Sequence, residues 1–339
     1  MSNNNNKVTF GIVNCNRLFY LKSCLESLLY CTSDYENKEV IIVDNASVED
    51  GTEEYLSEKE DQGLTIIRMT DRDPSNEFAR GLNTILKKST GSIIIPLQGD
   101  MQFILKGGWL NHYVSLLDRH EGSIGCILLD AQRNIRNKSA TFSQLLGDPE
   151  YPFIVDVNRF PFCGAADVAY NRKVVDFFGA WNEDNLNHEG GSDSETDMRN
   201  RVTSFMEQNK DVKLFAVQPI FSPTAAIITD SRGTNARVRG NRLYGDYWEA
   251  KEDFKYYKIH EFDDALKMCK DKRIPIGIED IAHPIGWDAP INELGNWKKQ
   301  PIDPKRATKS DYIELKYSNL VKDEDIVSDP TYMTDWLDD

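Results

Sequence analysis

The stretch GSIIIPLQGDMQF, residues 91–103, runs from an apolar segment into the polar turn Gln98-Gly99-Asp100. A short apolar run that ends at a turn is typical of a buried strand, and this one ends on a carboxylate. Two other stretches have the same form. VTFGIVN, residues 8–14, ends on an asparagine, and KEVIIVDNAS, residues 38–47, ends on the turn Asp44-Asn45. The three stretches predict three strands whose last residues are polar.

Helical segments alternate with these strands along the chain. The predicted helices lie at 17–31, 48–60, 76–89, 109–120, 193–209 and 244–270; further strands are predicted at 64–70, 123–130 and 212–229; and 165–181 is predicted as a strand followed by a helix. Such alternation predicts an α/β fold with a parallel sheet. Ligands bind such a sheet beyond the carboxyl ends of its strands, so we expect the polar strand ends to converge on one crevice.

The composition bounds the class of protein. Of 339 residues, 40% are hydrophobic and 28% are charged, and no run of about 18 apolar residues could cross a membrane. The N-terminal MSNNNNK lacks the apolar stretch of a secretory signal, and none of the six cysteines has C-x-x-C spacing. We therefore expect a cytoplasmic protein with reduced thiols and no zinc site. The net charge of −15 argues against a phosphate backbone or an anionic membrane as partner.

Common cofactor and nucleophile motifs are absent from the sequence. It contains no G-x-G-x-x-G, no G-x-x-x-x-G-K-[ST], no G-x-S-x-G and no H-E-x-x-H. Six segments instead resemble, in order, the motifs of family 2 glycosyltransferases, which have the GT-A fold: IIVDNASVEDGT, NEFARGLNTIL, TGSIIIPLQGD, GGWL, YNRKVVDFFGAWNED and SETDMRNR. The resemblance covers residues 7–205 well and residues 206–251 weakly.

The resemblance implies a fold and a reaction. The fold would be the GT-A type, with a Rossmann-like, mostly parallel central sheet flanked by helices. The reaction would move a sugar from a nucleoside-diphosphate sugar to an acceptor hydroxyl, with inversion and with the help of a divalent cation, Mn²⁺ or Mg²⁺. A UDP- or dTDP-sugar is the favoured donor, and a glycan is the favoured acceptor.

The resemblance, together with the sequence at the two ends, suggests the domain boundaries. The polar N-terminal residues 1–6 would be a disordered lead-in. The glycosyltransferase domain would span 7–251, with a nucleotide-binding half at about 7–105 and an acceptor half at about 106–251. Residues 252–339 would form a helical or irregular appendage with an acidic tail, which packs on the domain or binds the acceptor.

The position of the catalytic base follows from the segment SETDMRNR. Aligned with the family pattern, Glu195 occupies the position of the base that takes the acceptor proton, and Asp193 is the alternative. Asp197 is expected to pair with Arg201, four residues on, as structural support. Helix N-terminal charge is the purely structural alternative for these acids. Trp181 is expected either to stack on an acceptor sugar or to be a core aromatic.

The remaining site residues are expected to bind the cation or the nucleotide. Asp100 is the expected metal carboxylate, Gln98 departs from the Asp-x-Asp pattern of the family, and Asp230 stands where a late histidine would complete the metal shell. Asp44 would accept the base N–H, with a turn-capping role as its alternative. Arg80 and Asn83 share a helix face. The expected nucleotide contacts are Asn14, Asn16, Arg17, Asp44, Arg80, Asn83, Gln98 and Gly99.

Three other functions remain open at this point. A sugar nucleotidyltransferase would share the fold, although its glycine-rich basic start is missing. A non-catalytic nucleotide-sugar-binding protein is compatible with Gln98 in place of an acid. A glycosyltransferase that acts on a modified base in DNA is disfavoured by the acidic total, whereas the arginines of 232–242 leave room for it.

Overall fold

The computed structural model describes residues 6–16, 18–71, 76–99, 101–122, 124–129, 141–143, 154–156, 166–183, 194–212, 214–219, 223–226, 246–249, 259–264 and 298–301. The helices are α1 Leu18–Cys31, α2 Thr52–Asp61, α3 Glu77–Lys88, α4 Trp109–Arg119, α5 Arg172–Phe178 and α6 Ser194–Gln208. The strands are β1 Val8–Asn14, β2 Lys38–Asp44, β3 Thr65–Arg68, β4 Ile93–Leu97, β5 Met101–Phe103, β6 Leu105–Lys106, β7 Ile124–Leu128, β8 Thr141–Ser143, β9 Ile154–Asp156, β10 Val168–Asn171, β11 Phe215–Pro219, β12 Thr224–Ala226, β13 Asp246–Glu249, β14 His260–Glu261 and β15 Lys298–Pro301. Among these residues no helix is both long and apolar enough to cross a bilayer.

Within the described part of the chain, the central sheet has nine strands in the order β3-β2-β1-β4-β10-β7-β11-β9-β8. β3, β2, β1 and β4 pair in parallel, and β7 and β11 also pair in parallel. β10 and β9 pair antiparallel to their neighbours and thus run opposite to the other seven. The sheet is therefore mostly parallel, which confirms the predicted fold class.

The pairing register brings three strand ends to one edge of the sheet. Asn14, the last residue of β1, lies beside Asp44, the last residue of β2. Ile12 lies beside Leu97, so the turn Gln98-Gly99 follows β4 at the level where β1 ends. We term this side of the sheet, marked by Asn14, Asp44 and Leu97, the carboxyl edge.

Two apolar layers enclose the sheet, one on each face. Phe10 and Ile12 of β1 pack with α1, α2 and α4, whereas Val13 packs with α3, α5 and α6. Burial on both faces explains why the strands are continuous apolar runs instead of alternating ones. The first layer also holds the leucines that set the helical spacing of α1, namely Leu18, Leu21, Leu25 and Leu28.

Helix α3 approaches β1 closely because two glycines leave room for it. A Cβ at Gly81 would lie 2.7 Å from Cγ1 of Val13, and a Cβ at Gly11 would lie 2.3 Å from Cγ2 of Ile85. Both distances are shorter than real carbon contacts, so a larger residue at either position would push α3 away from the sheet. The close packing holds Arg80, which precedes Gly81, near the end of β1.

The helix predicted over 244–270 is wrong in two short segments, whereas residues 262–264 are helical and 244–245, 250–258 and 265–270 lie outside the described residues. Asp246–Glu249 forms β13, which pairs antiparallel with β15, and His260–Glu261 forms β14, which pairs in parallel with β6. Tyr and Trp in the first of these segments favour a strand once a partner strand is present, and this overrides the helical pattern. Phe262 then packs into the first apolar layer, with its ring centroid 5.4 Å from that of His112 in α4.

Candidate active site

Asp44 is the centre of a hydrogen-bonded turn at the carboxyl edge. Its Oδ1 accepts hydrogen bonds from Asn14 Nδ2 (2.7 Å) and Ser47 Oγ (2.5 Å), and its Oδ2 accepts one from the main-chain N–H of Ser47 (2.9 Å). The Asp44 carbonyl also accepts from the main-chain N–H of Met69 (2.8 Å). Asp44 is only 4% exposed. The turn-capping role is therefore present, and the contact to a base stays a prediction.

Asn16 joins the loop after β1 to the loop after β2. Its φ of 52° lies in the left-handed region, which asparagine tolerates better than most residues. Its N–H donates to Ser47 Oγ (2.6 Å), and its Oδ1 accepts from the N–H groups of Val48 (2.8 Å) and Glu49 (3.2 Å). Glu49 Oε2 accepts from the N–H of Leu18, which begins α1 (2.7 Å). Residues 14–16 and 44–49 thus form one unit, which we term the paired turns.

Asp167 holds the end of β4. Its N–H donates to the carbonyl of Pro96 (2.6 Å), its carbonyl accepts from the N–H of Leu129 (3.0 Å), and its Oδ1 accepts from the N–H of Gln98 (3.3 Å). Its φ is 57°, and Gly99 nearby has a φ of 83°. These bonds bring the ends of β4 and β7 and the start of β10 together at the carboxyl edge.

Glu195, in the first turn of α6, is tied to the same edge. Its Oε1 accepts a hydrogen bond from the N–H of Ala166 (3.1 Å), the residue before Asp167. A path of contacts therefore runs from Glu195 through Ala166 and Asp167 to Gln98. Gly99 connects this path to β1, because a Cβ built on Gly99 would lie 3.6 Å from the main-chain oxygen of Val13, near the end of β1. The polar ends of β1, β2 and β4 and the predicted base thus lie along one edge.

Helix α6 is anchored by the ion pair that the sequence predicts. Arg201 Nε lies 2.9 Å from Asp197 Oδ2. The other guanidinium nitrogens of Arg201 donate to the carbonyls of Phe178, the last residue of α5 (2.5 Å), and of Ala180 just after it (2.8 Å). The pairing of Asp197 with Arg201 is confirmed, and it fixes the first turn of α6 relative to α5.

Asn83 connects α3 to the segment after α5. Its Oδ1 accepts from the N–H of Trp181 (2.8 Å), while its Nδ2 donates to the carbonyl of Trp181 (2.8 Å) and to Glu183 Oε1 (2.6 Å). Trp181 is 3% exposed and packs edge-to-face on Tyr170, so it is a core aromatic and the sugar-stacking alternative is wrong. Arg80 is half-buried on the same helix. The nucleotide contacts of Arg80 and Asn83 stay predictions.

Four predicted site residues lie outside the described residues: Arg17, Asp100, Asp193 and Asp230. In the described part of the chain, no group of three or more His, Cys, Asp or Glu is placed to hold a metal ion. The cation site thus rests on the sequence, in which Asp100 follows Gly99 directly at the carboxyl edge.

Sequence analysis missed two residues that shape this edge, Ser47 and Asp167. Ser47 follows Asp44 by three residues, a spacing at which a hydroxyl and a main-chain N–H reach an aspartate that begins a turn. That signal was available in the quoted segment. Asp167 adopts a positive φ where three strand ends meet, and nothing in the local sequence AADVAY marks it.

A mostly parallel sheet whose first two strand ends form paired turns, faced by a carboxylate at the start of a helix, defines an α/β protein of the GT-A type. The model of the family described as "Glycosyl transferase family 2" matches residues 9–177, about half of the chain. The chain belongs to glycosyltransferase family 2. The matched region includes the paired turns and the end of β4, and it ends before α6 and Glu195 begin.

Individual relatives cover less of the chain. The uncharacterized protein y4gI of Sinorhizobium fredii is 32% identical over 107 residues, which are 32% of this chain and 11% of that protein. Mannosyltransferase PcManGT from Pyrobaculum calidifontis, solved with GDP-Man and Mn²⁺, has a TM-score of 0.44 and 18% identity, covering 70% of this chain and 62% of that one. TarS 1-349 from S. aureus, solved with UDP-GlcNAc, has a TM-score of 0.42 and 15% identity, covering 57% of this chain and 52% of that one. The chain spans less than two thirds of the length of each.

Proposed function

We propose that the chain is a glycosyltransferase that moves a sugar from a nucleoside-diphosphate sugar to an acceptor hydroxyl, with inversion at the anomeric carbon. The acceptor oxygen forms a bond to the anomeric carbon while the bond from that carbon to the diphosphate breaks. The hydroxyl proton passes to a carboxylate, and the nucleoside diphosphate leaves with the electron pair. Membership of glycosyltransferase family 2 supports this reaction class.

One observation carries the proposal: Asp44 and Glu195 lie along the same edge of the sheet although 150 positions of sequence separate them. Contacts link Glu195 to Ala166 and Asp167 to Gln98, and the strand register places the turn at Gln98 beside the end of β1, which pairs with Asp44. A transferase of this kind needs a group that binds the donor nucleotide on one side of the sugar and a base for the attacking hydroxyl on the other side. The carboxyl edge supplies both.

The paired turns are the proposed seat of the nucleotide. Asp44 Oδ2 accepts a single hydrogen bond among the contacts of the described residues, from the N–H of Ser47. A carboxylate oxygen has two lone-pair directions, so Oδ2 retains one for a donor N–H. Uracil and thymine present one ring N–H, which a single free acceptor position can satisfy, whereas guanine presents two adjacent N–H donors. We therefore favour a UDP- or dTDP-sugar.

Glu195 is the proposed general base. The main-chain N–H of Ala166 donates to its Oε1, and such a bond favours the ionised carboxylate that a base requires. Glu195 is half-buried in the first turn of α6, where the helix dipole also favours a negative charge. Asp193, two residues earlier, is the alternative base.

The oxygen donors in this part of the sequence fit a hard divalent cation. Mg²⁺ and Mn²⁺ prefer oxygen ligands, and one or two carboxylates suffice when phosphates and water complete the shell. Asp100 would supply the carboxylate, with the Gln98 amide oxygen beside it and Asp230 as a further candidate. Bound there, the cation would neutralise the charge that develops on the departing diphosphate.

The test of this proposal is thermal unfolding with a panel of UDP-, dTDP- and GDP-sugars, each with and without Mn²⁺. A ligand that binds only the folded state raises the unfolding temperature. We expect the largest rise from a UDP- or dTDP-sugar, and we expect Asp44→Ala to lose that rise. Asp61→Ala, an exposed acid in α2, is the matched control and should keep it.

Asp44→Ala also removes hydrogen bonds from the paired turns, so its unfolding temperature without ligand is measured first. Asp44→Asn keeps the side-chain shape and serves where the alanine variant is unstable. A wild-type protein that responds to no nucleotide sugar would reject the proposed donor site.

The products and the acceptor separate the remaining functions. Release of UDP or dTDP with transfer to a glycan supports the proposal, whereas release of pyrophosphate identifies a sugar nucleotidyltransferase. Binding without turnover on any hydroxyl compound identifies a non-catalytic protein. Transfer to duplex DNA that contains hydroxymethylated bases, but not to glycans, would identify a modified DNA base as the acceptor instead of a glycan.

A further inference from the structure

Asp167 has a left-handed main-chain conformation, which residues other than glycine, asparagine and aspartate rarely adopt. Its φ is 57°, and among the described non-glycine residues only Asn16 and Ala46 also have a positive φ. Both of these lie in the paired turns, so all three left-handed residues are at the carboxyl edge. Such a conformation persists where surrounding contacts hold it.

The side chain of Asp167 accepts one hydrogen bond in addition to those that its main chain makes. The main chain of Asp167 pairs with Pro96 and Leu129, and these bonds do not involve its carboxylate. Its Oδ1 accepts from the N–H of Gln98 at 3.3 Å, and this bond depends on the identity of the residue. Gln98 begins the turn that leads to Gly99, so the side chain of Asp167 holds the start of the Gln98-Gly99 loop.

The residue before Asp167 holds the proposed base. Asp167, with its left-handed φ, links Ala166 to β10, and the N–H of Ala166 donates to Glu195 Oε1 at 3.1 Å. The position of that N–H depends on how Asp167 is held. Asp167 is held by its main-chain bonds to Pro96 and Leu129 and by the bond from the N–H of Gln98 to its side chain.

We propose that Asp167 is a positioning residue that fixes Glu195 relative to the Gln98-Gly99 loop. It touches neither the sugar nor the acceptor, and it acts through Ala166. This inference rests on the proposed function, in which Glu195 removes the acceptor proton. Asp167, which lies between the two chain segments, would align the base with the leaving group.

Three substitutions separate the side-chain bond from the backbone strain. Asp167→Asn keeps an oxygen acceptor, and asparagine tolerates a positive φ. Asp167→Ala loses the acceptor and is strained at this φ. Asp167→Gly loses the acceptor but accommodates the backbone, so it serves where the alanine variant fails to fold.

The assay follows release of nucleoside diphosphate from the UDP-sugar that stabilises the wild type most, with water as the acceptor. We expect Asp167→Ala and Asp167→Gly to lower kcat about 10- to 100-fold with the KM for donor within about threefold, because a displaced base slows chemistry and not binding. Asp167→Asn should stay within about threefold of wild type in kcat. The acid limb of the kcat/KM profile should move to higher pH in the alanine and glycine variants, since the Ala166 N–H no longer favours ionised Glu195.

Amide hydrogen exchange gives a readout that needs no activity. The N–H groups of Ala166 and Gln98 should exchange faster in Asp167→Ala or Asp167→Gly, while the N–H groups of β1 stay protected. Unchanged exchange at Ala166 would overturn the inference even if the protein proved not to be a transferase. So would a folded alanine or glycine variant with wild-type kcat and pH profile, or an asparagine variant as slow as alanine. A wild type that neither binds nor cleaves any nucleotide sugar would instead reject the proposed function.

Discussion

Strand β2 carries a hydrogen-bonded carboxylate near each end, and the two are held in different ways. Near its amino end, Glu39 Oε1 accepts from Thr9 Oγ1 and from the N–H of Thr90, both at 2.6 Å, and Oε2 pairs with Lys7 Nζ at 2.6 Å. At its carboxyl end, Asp44 accepts from an amide, a hydroxyl and a main-chain N–H. The first carboxylate has a cation for a partner, whereas the donors to the second, among the residues that the structure describes, are neutral.

The backbone differs between the two ends as well. The described residues with a positive φ and a side chain, Asn16, Ala46 and Asp167, all lie at the carboxyl edge. Residues in the left-handed region persist where the contacts around them hold them in place. The amino end of β2 is thus held by an ion pair, whereas the carboxyl edge combines neutral donors with left-handed turns, and it is there that we propose the donor binds.

The strongest test of that difference is Glu195→Gln. The amide keeps the shape and an oxygen that accepts from the Ala166 N–H, but it cannot take a proton. We expect turnover to fall by about 10²- to 10⁴-fold, while the rise in unfolding temperature with donor stays as in wild type. Initial rates and thermal unfolding measure the two effects separately.

Glu207→Gln is the matched control for this substitution. Glu207 is exposed near the far end of α6, and its replacement should leave turnover unchanged. If Glu195→Gln turns over at the wild-type rate, Asp193 becomes the preferred base.

Ser47→Ala tests the paired turns with a smaller expected effect. The Ser47 hydroxyl donates to Asp44 Oδ1 and accepts from the N–H of Asn16, and its loss leaves both groups short of a partner. We expect the free energy of unfolding to fall by about 1–2 kcal/mol and the affinity for donor to weaken. Urea denaturation and the ligand-induced shift in unfolding temperature measure these changes.

Ser33→Ala is the matched control for Ser47→Ala. It replaces an exposed serine and should change the free energy of unfolding by less than about 0.5 kcal/mol. A Ser47→Ala protein with wild-type stability and wild-type donor response would show that the paired turns do not depend on their hydroxyl. The hydrogen bonds around Asp44 would then not distinguish the carboxyl end of β2 from its amino end.

The sequence predicted those features that local pattern determines. Apolar runs bounded by turns located β1, β2 and β4, and the i, i+4 spacing of Asp197 and Arg201 predicted their ion pair. The parallel register then follows, because strands that alternate with helices align their carboxyl ends. This is why the convergence of Asp44 with the end of β4 was predictable without coordinates.

Features that arise from long-range packing were not predictable. The positive φ of Asp167 exists because Pro96, Gln98 and Leu129 meet there, and these lie far from it in sequence. Trp181 is ambiguous between core and surface in the sequence, and its burial against Tyr170 places it in the core. Tertiary contacts decide such cases, and one sequence does not contain them in readable form.

The smallest expected effect concerns the amino end of β2 and the pH dependence of stability. Burial raises the pKa of Glu39, but hydrogen bonds from Lys7, Thr9 and Thr90 together outweigh it and lower the pKa to about 2, below its ordinary value of 4.5. The unfolded chain therefore binds a proton in this range more readily than the folded chain. The contribution of Glu39 is present above pH 4.5 and is lost as the pH falls toward 2.

Glu39→Gln should lower the free energy of unfolding by about 1 kcal/mol at pH 7, since the side chain is partly exposed and its ion pair is screened. The difference between the variant and wild type should shrink as the pH falls from 4.5 toward 2, as measured by urea denaturation at several pH values. Glu54→Gln, at an exposed position in α2, should follow wild type at every pH. A difference between Glu39→Gln and wild type that stays constant down to pH 2 would mean that the carboxylate at this end is not held in its ionised form, and the two ends of β2 would then not differ as argued.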